Sequence, residues 1–352
     1  MKRTRSPKPD LAEEIKTHAK AKPKKETNKE YEGNTEIMIS SGSTLLNLAI
    51  SGGRKRGGGF PGGIMVVAYG PSGSGKTVLA CEVAGDIQRQ GGAINYKDSE
   101  ARLDKKFSEV FDLVYDEISY EKPNTVSEAF LPLYKWKVDT ANVNGYIIDS
   151  LAALSTDMEM DNDDGDKMGM RRAKEFSEHL RKGARIVTNN NLLLFCTNQI
   201  REKADAQKYE RKDINPGGKA IEFYASLILR FSSYSKITKE VKVAGKPVKR
   251  VVGIEVDVEV VKSSIWKPHH VAPVIIYYNY GIDDIRANLQ YIKDYSSNTV
   301  YTVNDEPLNI SLDKSVVMVE SMGKENELRE QVIDLWEEIE AKFEMTRKKK
   351  QR

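Results

Sequence analysis

Residues 64–77 read IMVVAYGPSGSGKT, and this stretch decides the fold class of the chain. Its first six residues are predominantly apolar, as in a strand buried on both faces of a parallel sheet. The next eight match the GxxxxGK[ST] phosphate loop, and they are Gly70, Pro71, Ser72, Gly73, Ser74, Gly75, Lys76 and Thr77. Inward-pointing N–H groups and a helix N-terminus make such a loop an anion site. The stretch therefore predicts binding of a nucleoside triphosphate, with Lys76 on the β- and γ-phosphates and Thr77 on Mg²⁺.

Short apolar runs alternate with amphipathic segments on both sides of this loop, which is typical of an α/β fold with a parallel sheet. The pattern predicts strands at 64–69, 93–97, 146–149 and 192–197, β-rich segments at 227–231, 253–262 and 273–280, and helices at 76–90, 170–189, 285–295 and 325–343. Between the last two helices, polar hairpin-like segments are predicted up to residue 319. The expected fold is a P-loop NTPase core with a mostly parallel twisted sheet flanked by helices, plus a small α+β C-terminal domain.

Charge is distributed unevenly along the 352 residues, whose formal net charge is +3. Residues 1–29 hold ten basic and four acidic side chains, and residues 347–352 hold five basic ones. The remaining body holds 40 basic and 48 acidic side chains, a net of −8. The basic character therefore belongs to the two tails, which are either solvated arms or electrostatic contacts for nucleic acid or a neighbouring subunit.

The rest of the composition excludes several classes of protein. The apolar runs are far shorter than the roughly 20 residues that a membrane span needs, and the charged N-terminus lacks the apolar stretch of a secretory signal. Cys81 and Cys196 stand in apolar contexts, as buried core cysteines do in proteins of a reducing compartment. The histidines and cysteines show no spacing typical of a zinc site. We expect a cytoplasmic protein without a membrane segment.

Polar side chains follow the other predicted strands at the edge where an α/β sheet binds its ligand. Asp149 closes one strand and is suited to holding a magnesium-bound water. Glu100 follows another and is suited to orienting an attacking water and accepting its proton, although the pattern leaves Asp98 as an alternative. Gln199 ends a further strand, where an amide either senses a γ-phosphate or is simply a polar strand end.

Taken in chain order, these motifs resemble those of the bacterial RecA recombinase family and its phage relatives. The resemblance is carried by ISSGSTLLNLA (39–49), YGPSGSGKT (69–77), DSEARLD (98–104), IDSLAAL (148–154), MG (168–169), NQIR (198–201), GGKAIEFYAS (217–226) and VVK (260–262). A phosphate loop alone indicates only an NTPase, whereas the ordered set over residues 37–282 is specific to this family.

The resemblance implies roles for particular residues. It favours Glu100 over Asp98 as the catalytic glutamate, makes Gln199 the γ-phosphate sensor, and places Asp104 and Phe107 at the adenine. It also implies a first DNA-binding loop at 157–169 and a second at 200–218. The residues expected to contact single-stranded DNA are Met168, Gly169, Arg181, Lys182, Arg201, Tyr209, Gly217, Gly218 and Lys219, with a solvated surface as the alternative for the basic ones.

The chain departs from the family at two positions. The family usually has lysines where this sequence has Glu222 and Ser264, and these lysines reach the ATP of the neighbouring protomer. Lys262 keeps its place, and Lys219 is a conjectural substitute for the missing charge. We therefore expect ATP-driven assembly to be weak, slow or dependent on a partner.

The sequence is thus identified as a member of this family, and it predicts an ATP- and Mg²⁺-dependent strand-exchange recombinase. Expected partners are single-stranded DNA, homologous duplex DNA, other protomers in a helical filament, and a loader or single-strand-binding protein. The expected organisation is a basic, largely disordered tail with a protomer-docking segment (1–36), an ATPase core (37–282), a small C-terminal domain (283–346) and a basic tail (347–352). The alternatives are an accessory RecA-like protein without strand exchange, favoured by Glu222 and Ser264, and a hexameric motor, disfavoured by Gly217-Gly218.

Overall fold

A large twisted β-sheet with helices on both faces organises the protein. The computed structural model describes residues 36–53, 55–157, 168–202, 213–214, 218–345 and 347, with the backbone alone described at 168–173, 201–202, 213–214 and 218–219. Nearly all of the predicted N-terminal tail and of the acidic stretch in the first loop lie outside these residues. Most of the second loop and of the C-terminal tail also lie outside them.

Ten strands make up this sheet within the described residues. In chain order they are β3 (Ile64–Gly70), β4 (Ile94–Asp98), β5 (Ser119–Glu121), β6 (Asn144–Asp149), β7 (Leu192–Gln199), β10 (Leu227–Phe231), β11 (Ser235–Val243), β12 (Lys246–Ser263), β13 (Val271–Tyr277) and β14 (Gly281–Ile282). Three short pairs lie outside it: β1 (Met38–Ile39) with β2 (Phe60–Pro61), β8 (Arg201–Glu202) with β9 (Asp213–Ile214), and β15 (Thr302–Val303) with β16 (Glu306–Pro307).

The strand order is β14-β13-β12-β10-β3-β7-β6-β4-β5, with β11 also paired to β12. The pairs from β10 to β5 are parallel, and the pairs on the β12 side are antiparallel. Registers of Gly70 with Gln199 and of Asp98 with Asp149 align the carboxyl ends of four parallel strands. The mostly parallel α/β sheet is therefore confirmed, and the predicted site residues end at one edge.

Helices cover both faces, which explains why the core strands are continuously apolar rather than alternating. They are α1 (Thr44–Ser51), α2 (Lys76–Arg89), α3 (Lys105–Glu109), α4 (Val126–Lys135), α5 (Met168–Asn189), α6 (Gly218–Tyr224), α7 (Asp284–Asp294), α8 (Leu312–Met322) and α9 (Glu325–Lys342). In β3, Val66 and Ala68 join the cluster under α1 and α2, whereas Met65 and Val67 join the cluster under α4 and α5. Each face therefore has its own apolar core.

The expectation of polar hairpin-like segments up to residue 319 is wrong for its second half. The strands β15 and β16 do form a short hairpin, but α8 follows it. Buried Val316 and Val319 face the core three residues apart, and Gly323 ends the helix in the left-handed conformation with φ 62°. The apolar residues 316–319 are consecutive and show no helical period, so the pattern did not predict this helix.

The strand predicted at 253–262 is longer than the pattern indicated. The strands β11 and β12 extend as a two-stranded ribbon whose turn at Ala244 and Gly245 has φ 50° and 81°. Positive φ at both central residues suits the twist of a two-residue hairpin. Most side chains of its outer half are exposed, so the segment lacks the apolar run that indicates a core strand.

Two other expectations concern the whole chain. Cys81 and Cys196 are unpaired and fully buried, as predicted for core residues. Among the described residues, none of the helices combines the length and apolar character that crossing a membrane requires. The predicted start of a separate C-terminal domain at residue 283 stays a prediction. A hydrogen bond crosses this boundary, because the hydroxyl of Thr44 in α1 donates to Asp284 at the start of α7 over 2.6 Å.

Candidate active site

The carboxyl ends of β3, β4, β6 and β7 border a cavity of about 280 Å³. Its polar lining comes from Ser72, Lys76, Thr77, Glu100, Arg102, Asp149, Ser150, Thr197 and Gln199, and its larger apolar and aromatic lining from Val78, Phe107, Ile254, Ile276 and Tyr278. Short connections from neighbouring parallel strands bring these residues together although they are far apart in the sequence. This is the crevice in which an α/β sheet binds its ligand.

The phosphate loop joins β3 to α2 along one side of the cavity. Gly73 and Gly75 have φ of 75° and 95°, a region that L side chains rarely adopt. A Cβ at Gly75 would lie 2.3 Å from Cδ1 of Ile276. The glycines therefore allow both the turn and the close approach of β13, and the loop opens directly onto the N-terminus of α2.

Lys76 lies in the first turn of α2 and is only 8% exposed. Its Nζ donates to the carbonyl oxygens of Gly70 over 3.0 Å and Pro71 over 2.6 Å. Burial lowers the pKa of Lys76 to about 8, and the nearby carboxylates Asp149 and Glu100 oppose that shift. The ammonium group is thus held over the loop by its own carbonyl oxygens, where a phosphate would offer it stronger acceptors.

Asp149 at the end of β6 is 4% exposed and accepts hydrogen bonds from the hydroxyls of Thr77, Thr197 and Tyr96. Burial raises the pKa of Asp149, and the threonine hydroxyls oppose the shift. Within the described residues no cluster of three His, Cys, Asp or Glu side chains forms a metal cage. Mg²⁺ at phosphate sites keeps several waters and takes few protein ligands, so the Thr77 hydroxyl beside the Asp149 carboxylate fits it.

Glu100 projects into the cavity from the connection after β4, with its side chain 13% exposed. Its Oε1 accepts from Nε2 of Gln199 over 2.8 Å and from Oγ of Ser150 over 2.9 Å. Its Oε2 lies 2.8 Å from a guanidinium nitrogen of Arg102. Three partners therefore fix this carboxylate next to the phosphate loop, and a carboxylate is a group that can take a proton from water.

Asp98, the alternative for that role, is 1% exposed and does not line the cavity. Its Oδ2 accepts from the backbone N–H of Leu103 and from the hydroxyl of Tyr120, both over 2.8 Å. These bonds fix the connection that carries Glu100. The geometry therefore gives Asp98 a supporting position and Glu100 the position facing the cavity.

The two residues expected at the adenine differ in position. Phe107 lines the cavity and contacts Phe111 edge-on, with ring centroids 5.0 Å apart. Asp104 instead begins α3, where its Oδ1 accepts from the N–H of Phe107 over 2.8 Å, and it does not line the cavity. Asp104 thus orients the helix turn that carries Phe107.

The pattern missed Arg102 and Tyr278, which both line the cavity. Tyr278 directly follows β13, whose antiparallel pairing brings that end of the strand towards the phosphate loop. Arg102 stands two residues after Glu100 in a short connection. A search for basic or aromatic side chains within a few residues of the predicted strand ends would have found both.

Two of the residues expected to contact DNA have described side chains, and neither lines the cavity. Arg181 and Lys182 are exposed on α5, and Nζ of Lys182 forms an ion pair with Glu178 over 2.7 Å. The backbones of Met168 and Gly169 begin α5, that of Arg201 begins β8, and those of Gly218 and Lys219 begin α6. Tyr209 and Gly217 lie outside the described residues. The structure therefore brings the phosphate residues together but does not bring the DNA residues into one described cluster.

Lys262 also lies outside the cavity, near the end of β12. Its Nζ donates to the backbone carbonyls of Glu222 over 2.6 Å and Phe223 over 3.3 Å, at the C-terminal end of α6. A cation at this end offsets the partial negative charge of the helix carbonyls. Glu222, Phe223 and Ser264 are exposed beside it.

Comparisons with known proteins match the part of the chain that builds the cavity. A profile of the RecA N-terminal domain matches residues 20–283, which include every lining residue. Protein RecA of Thermus thermophilus is 31% identical over 251 residues, 70% of this chain and 69% of that protein. Protein RecA of Bacillus mycoides is 30% identical over 301 residues, 84% and 82% of the two chains. A solved RadB recombinase structure aligns with a TM-score of 0.48 and 20% identity, over 70% of this chain and 99% of that one.

Proposed function

The chain belongs to the RecA family, and on that premise we propose that it is an ATP-dependent recombinase that exchanges strands between homologous DNA molecules. It would assemble on single-stranded DNA as a helical filament, pair that strand with a homologous duplex, and use ATP hydrolysis to turn the filament over. This extends the family's role in recombination and repair to a specific activity of this chain.

One observation carries the proposal, namely the hydrogen bond between Gln199 and Glu100. Gln199 is the last residue of β7 and leads directly into residues 200–218, the segment expected to bind DNA. Glu100 and Asp149 are the two carboxylates that line the cavity among the described residues, and Glu100 is the one that bonds Gln199. A single side-chain contact therefore links the predicted hydrolytic carboxylate to the start of the predicted DNA loop, as a protein whose DNA binding depends on ATP requires.

The cavity supports the proposed hydrolysis residue by residue. The loop amides and Lys76 would bind the β- and γ-phosphates, and Phe107 would present its ring to the base. Thr77 and, through water, Asp149 would hold Mg²⁺, which supplies positive charge between the phosphate oxygens. Glu100 would take a proton from the attacking water.

A second function is favoured by the exposed carboxylate at Glu222 and the hydroxyl at Ser264, where positive charge would serve assembly between protomers. In that case the chain is an accessory protein that binds ATP and assists another recombinase. We place either protein in the cytoplasm. Its partner would be a loader or a single-strand-binding protein, because a protein that assembles weakly needs a partner to bind single strands that other proteins already cover.

Joint-molecule formation from a circular single strand and a homologous linear duplex separates the two functions. We expect product with ATP, none with a heterologous duplex, and none with the Lys76→Ala variant. If ATP and single-stranded DNA both bind but no joint molecules form, the recombinase proposal fails and the accessory function replaces it.

A further inference from the structure

Arg102 is the cavity feature that the proposed function leaves unused. Among the described residues that line the cavity it is the one arginine. Its guanidinium nitrogen lies 2.8 Å from Oε2 of Glu100, and its side chain is 57% exposed. The guanidinium is therefore anchored at one point on the hydrolytic carboxylate, and solvent rather than packed protein surrounds most of the side chain.

The position of Arg102 matters because both oxygens of Glu100 are engaged. Gln199 and Ser150 donate to Oε1, so Arg102 covers the remaining oxygen, Oε2. A general base needs an oxygen that faces the water it deprotonates. The arrangement seen here holds the carboxylate in place but does not leave Oε2 to the water.

The charge of Arg102 also reaches the phosphate loop. Arg102 is one of the groups that lower the pKa of Lys76, which means that the two positive charges interact across the cavity. Both residues line one cavity, so a terminal phosphate bound by Lys76 would share that cavity with the Arg102 guanidinium. Phosphoryl transfer spreads negative charge over the oxygens of that phosphate, and an arginine is the usual group that neutralises it.

The described side chains at the end of α6 and of β12 offer little positive charge. Glu222 is acidic and Ser264 is neutral, and Lys262 donates to the carbonyls that end α6. Of these side chains, a neighbouring protomer would bring one lysine to the ATP, namely Lys262, and that lysine already donates to two backbone carbonyls. The compensating charge is therefore more readily supplied from within the protomer that binds the ATP.

We propose that Arg102 is a catalytic arginine that acts on the ATP bound in its own protomer. When ATP fills the cavity, the guanidinium leaves Oε2 of Glu100 and contacts the terminal phosphate. In the step that follows, a bond forms between the water oxygen and the γ-phosphorus, and the bond from that phosphorus to the β-phosphate oxygen breaks. The electron pair of the broken bond stays on ADP, and Glu100 takes the water proton. This proposal rests on the proposed ATP hydrolysis but not on strand exchange.

Steady-state hydrolysis with single-stranded DNA tests the role. Arg102→Ala should lower kcat about 100-fold or more while KM for ATP changes less than about threefold, because the contact strengthens only in the transition state. Arg102→Lys should recover part of kcat, since lysine keeps the charge but not the planar fork. Lys105→Ala is the matched control: it removes an exposed charge, ion-paired to Asp116 and outside the cavity, and should leave both constants unchanged.

Binding of ADP with aluminium fluoride gives a second readout that needs no turnover. The Arg102→Ala variant should bind this transition-state mimic at least about 30-fold more weakly than the wild type does. Its affinity for ADP alone should equal that of the wild type. Unchanged kcat and mimic binding, an effect on KM alone, or a rise in kcat would each overturn the proposal; a rise would mean that Arg102 only restrains Glu100. If the wild type hydrolyses ATP but forms no joint molecules, strand exchange fails while the role of Arg102 stands.

Discussion

The two surfaces that would meet around ATP in the proposed filament differ in what they contribute. The cavity holds Lys76, Thr77, Glu100, Arg102 and Gln199 around one space of about 280 Å³. The surface at the end of α6, called here the α6 surface, consists of Glu222, Phe223, Lys262 and Ser264. Its lysine donates to backbone carbonyls, and Phe223 is 77% exposed.

This difference suggests that binding and hydrolysis are organised mainly within one protomer. The cavity contains acceptors and donors for each part of the reaction, whereas the α6 surface offers an exposed aromatic ring, a carboxylate and one engaged lysine. Such a surface is better suited to contact by packing than to charge neutralisation. Changes in the cavity should therefore affect turnover more strongly than changes on the α6 surface.

The largest effect is expected for Lys76→Ala. Removing the ammonium takes away the principal charge at the phosphate loop, so turnover should fall about 1,000-fold or more and ATP-dependent filaments should disappear. Hydrolysis assays and electron microscopy measure the two effects. Arg89→Ala, at the far end of the same helix, is the control and should behave as the wild type. Filaments that form normally with Lys76→Ala would contradict nucleotide control of assembly.

Glu100→Gln should follow, with turnover reduced about 100- to 1,000-fold because an amide cannot accept the water proton. Single-stranded DNA binding in the presence of ATP should persist, since Gln199 keeps a hydrogen-bond partner; fluorescence anisotropy measures it. Asp98→Asn tests the alternative carboxylate. It should lower the melting temperature, because it disturbs the bonds to Leu103 and Tyr120, and it should leave kcat close to that of the wild type. Wild-type turnover by Glu100→Gln would remove it as the base.

A smaller effect is expected on the α6 surface. Ser264→Lys places a charge where the resembling family has one, and turnover per protomer should rise less than about tenfold because Arg102 already supplies charge. Ser264→Gln adds a long side chain without charge and serves as the control. A rise of 100-fold or more with lysine would show that turnover is limited at the α6 surface and not in the cavity.

Glu82→Gln should leave turnover unchanged and alter stability instead. Glu82 lies on α2 facing away from the cavity, where its Oε1 accepts from the N–H of Ile282 over 3.1 Å. Burial raises the pKa of Glu82 from its ordinary value near 4.5 to about 7. The folded protein therefore binds a proton that the unfolded chain releases, and this carboxyl lowers the free energy of unfolding as pH rises from about 4.5 to 7.

Chemical denaturation between pH 5 and pH 8 measures that dependence. The wild type should lose up to about 3 kcal/mol through this group over the range, and Glu82→Gln should remove that part of the loss. Glu109→Gln, which changes an exposed carboxylate on α3, should keep the wild-type profile. Parallel profiles for wild type and Glu82→Gln would show that Glu82 is not the responsible group.

The sequence predicted the cavity residues that follow parallel strands better than it predicted residues brought there by distant segments. The phosphate loop, Asp149 and Gln199 were predictable because each ends a strongly apolar strand, and parallel strands bring such ends together. Tyr278 was missed because it reaches the cavity through the antiparallel pairing of β12 and β13, which apolar runs alone do not encode. Arg102 carries no periodic signal at all.

Elements with exposed faces were the other failure. In α8 the apolar residues 316–319 are consecutive, and the outer ribbon of β11 and β12 has mostly exposed side chains. Neither element therefore produces the apolar period on which a prediction depends. The same limit applies to Lys262. Its position in the family motif was recognisable, but its contacts at the end of α6 depend on tertiary packing between segments 40 residues apart.

Mixing two defective variants tests most directly whether the hydrolytic charge acts within one protomer. Glu100→Gln and Arg102→Ala, of which the first should keep DNA binding with ATP, are combined in equal amounts on single-stranded DNA, with co-assembly verified by energy transfer between labelled protomers. We predict turnover no higher than the sum of the two variants alone, because neither protomer has both groups in one cavity. Recovery to about a quarter of wild-type turnover would mean that a Glu100→Gln protomer supplies Arg102 to its neighbour's ATP, contradicting the account.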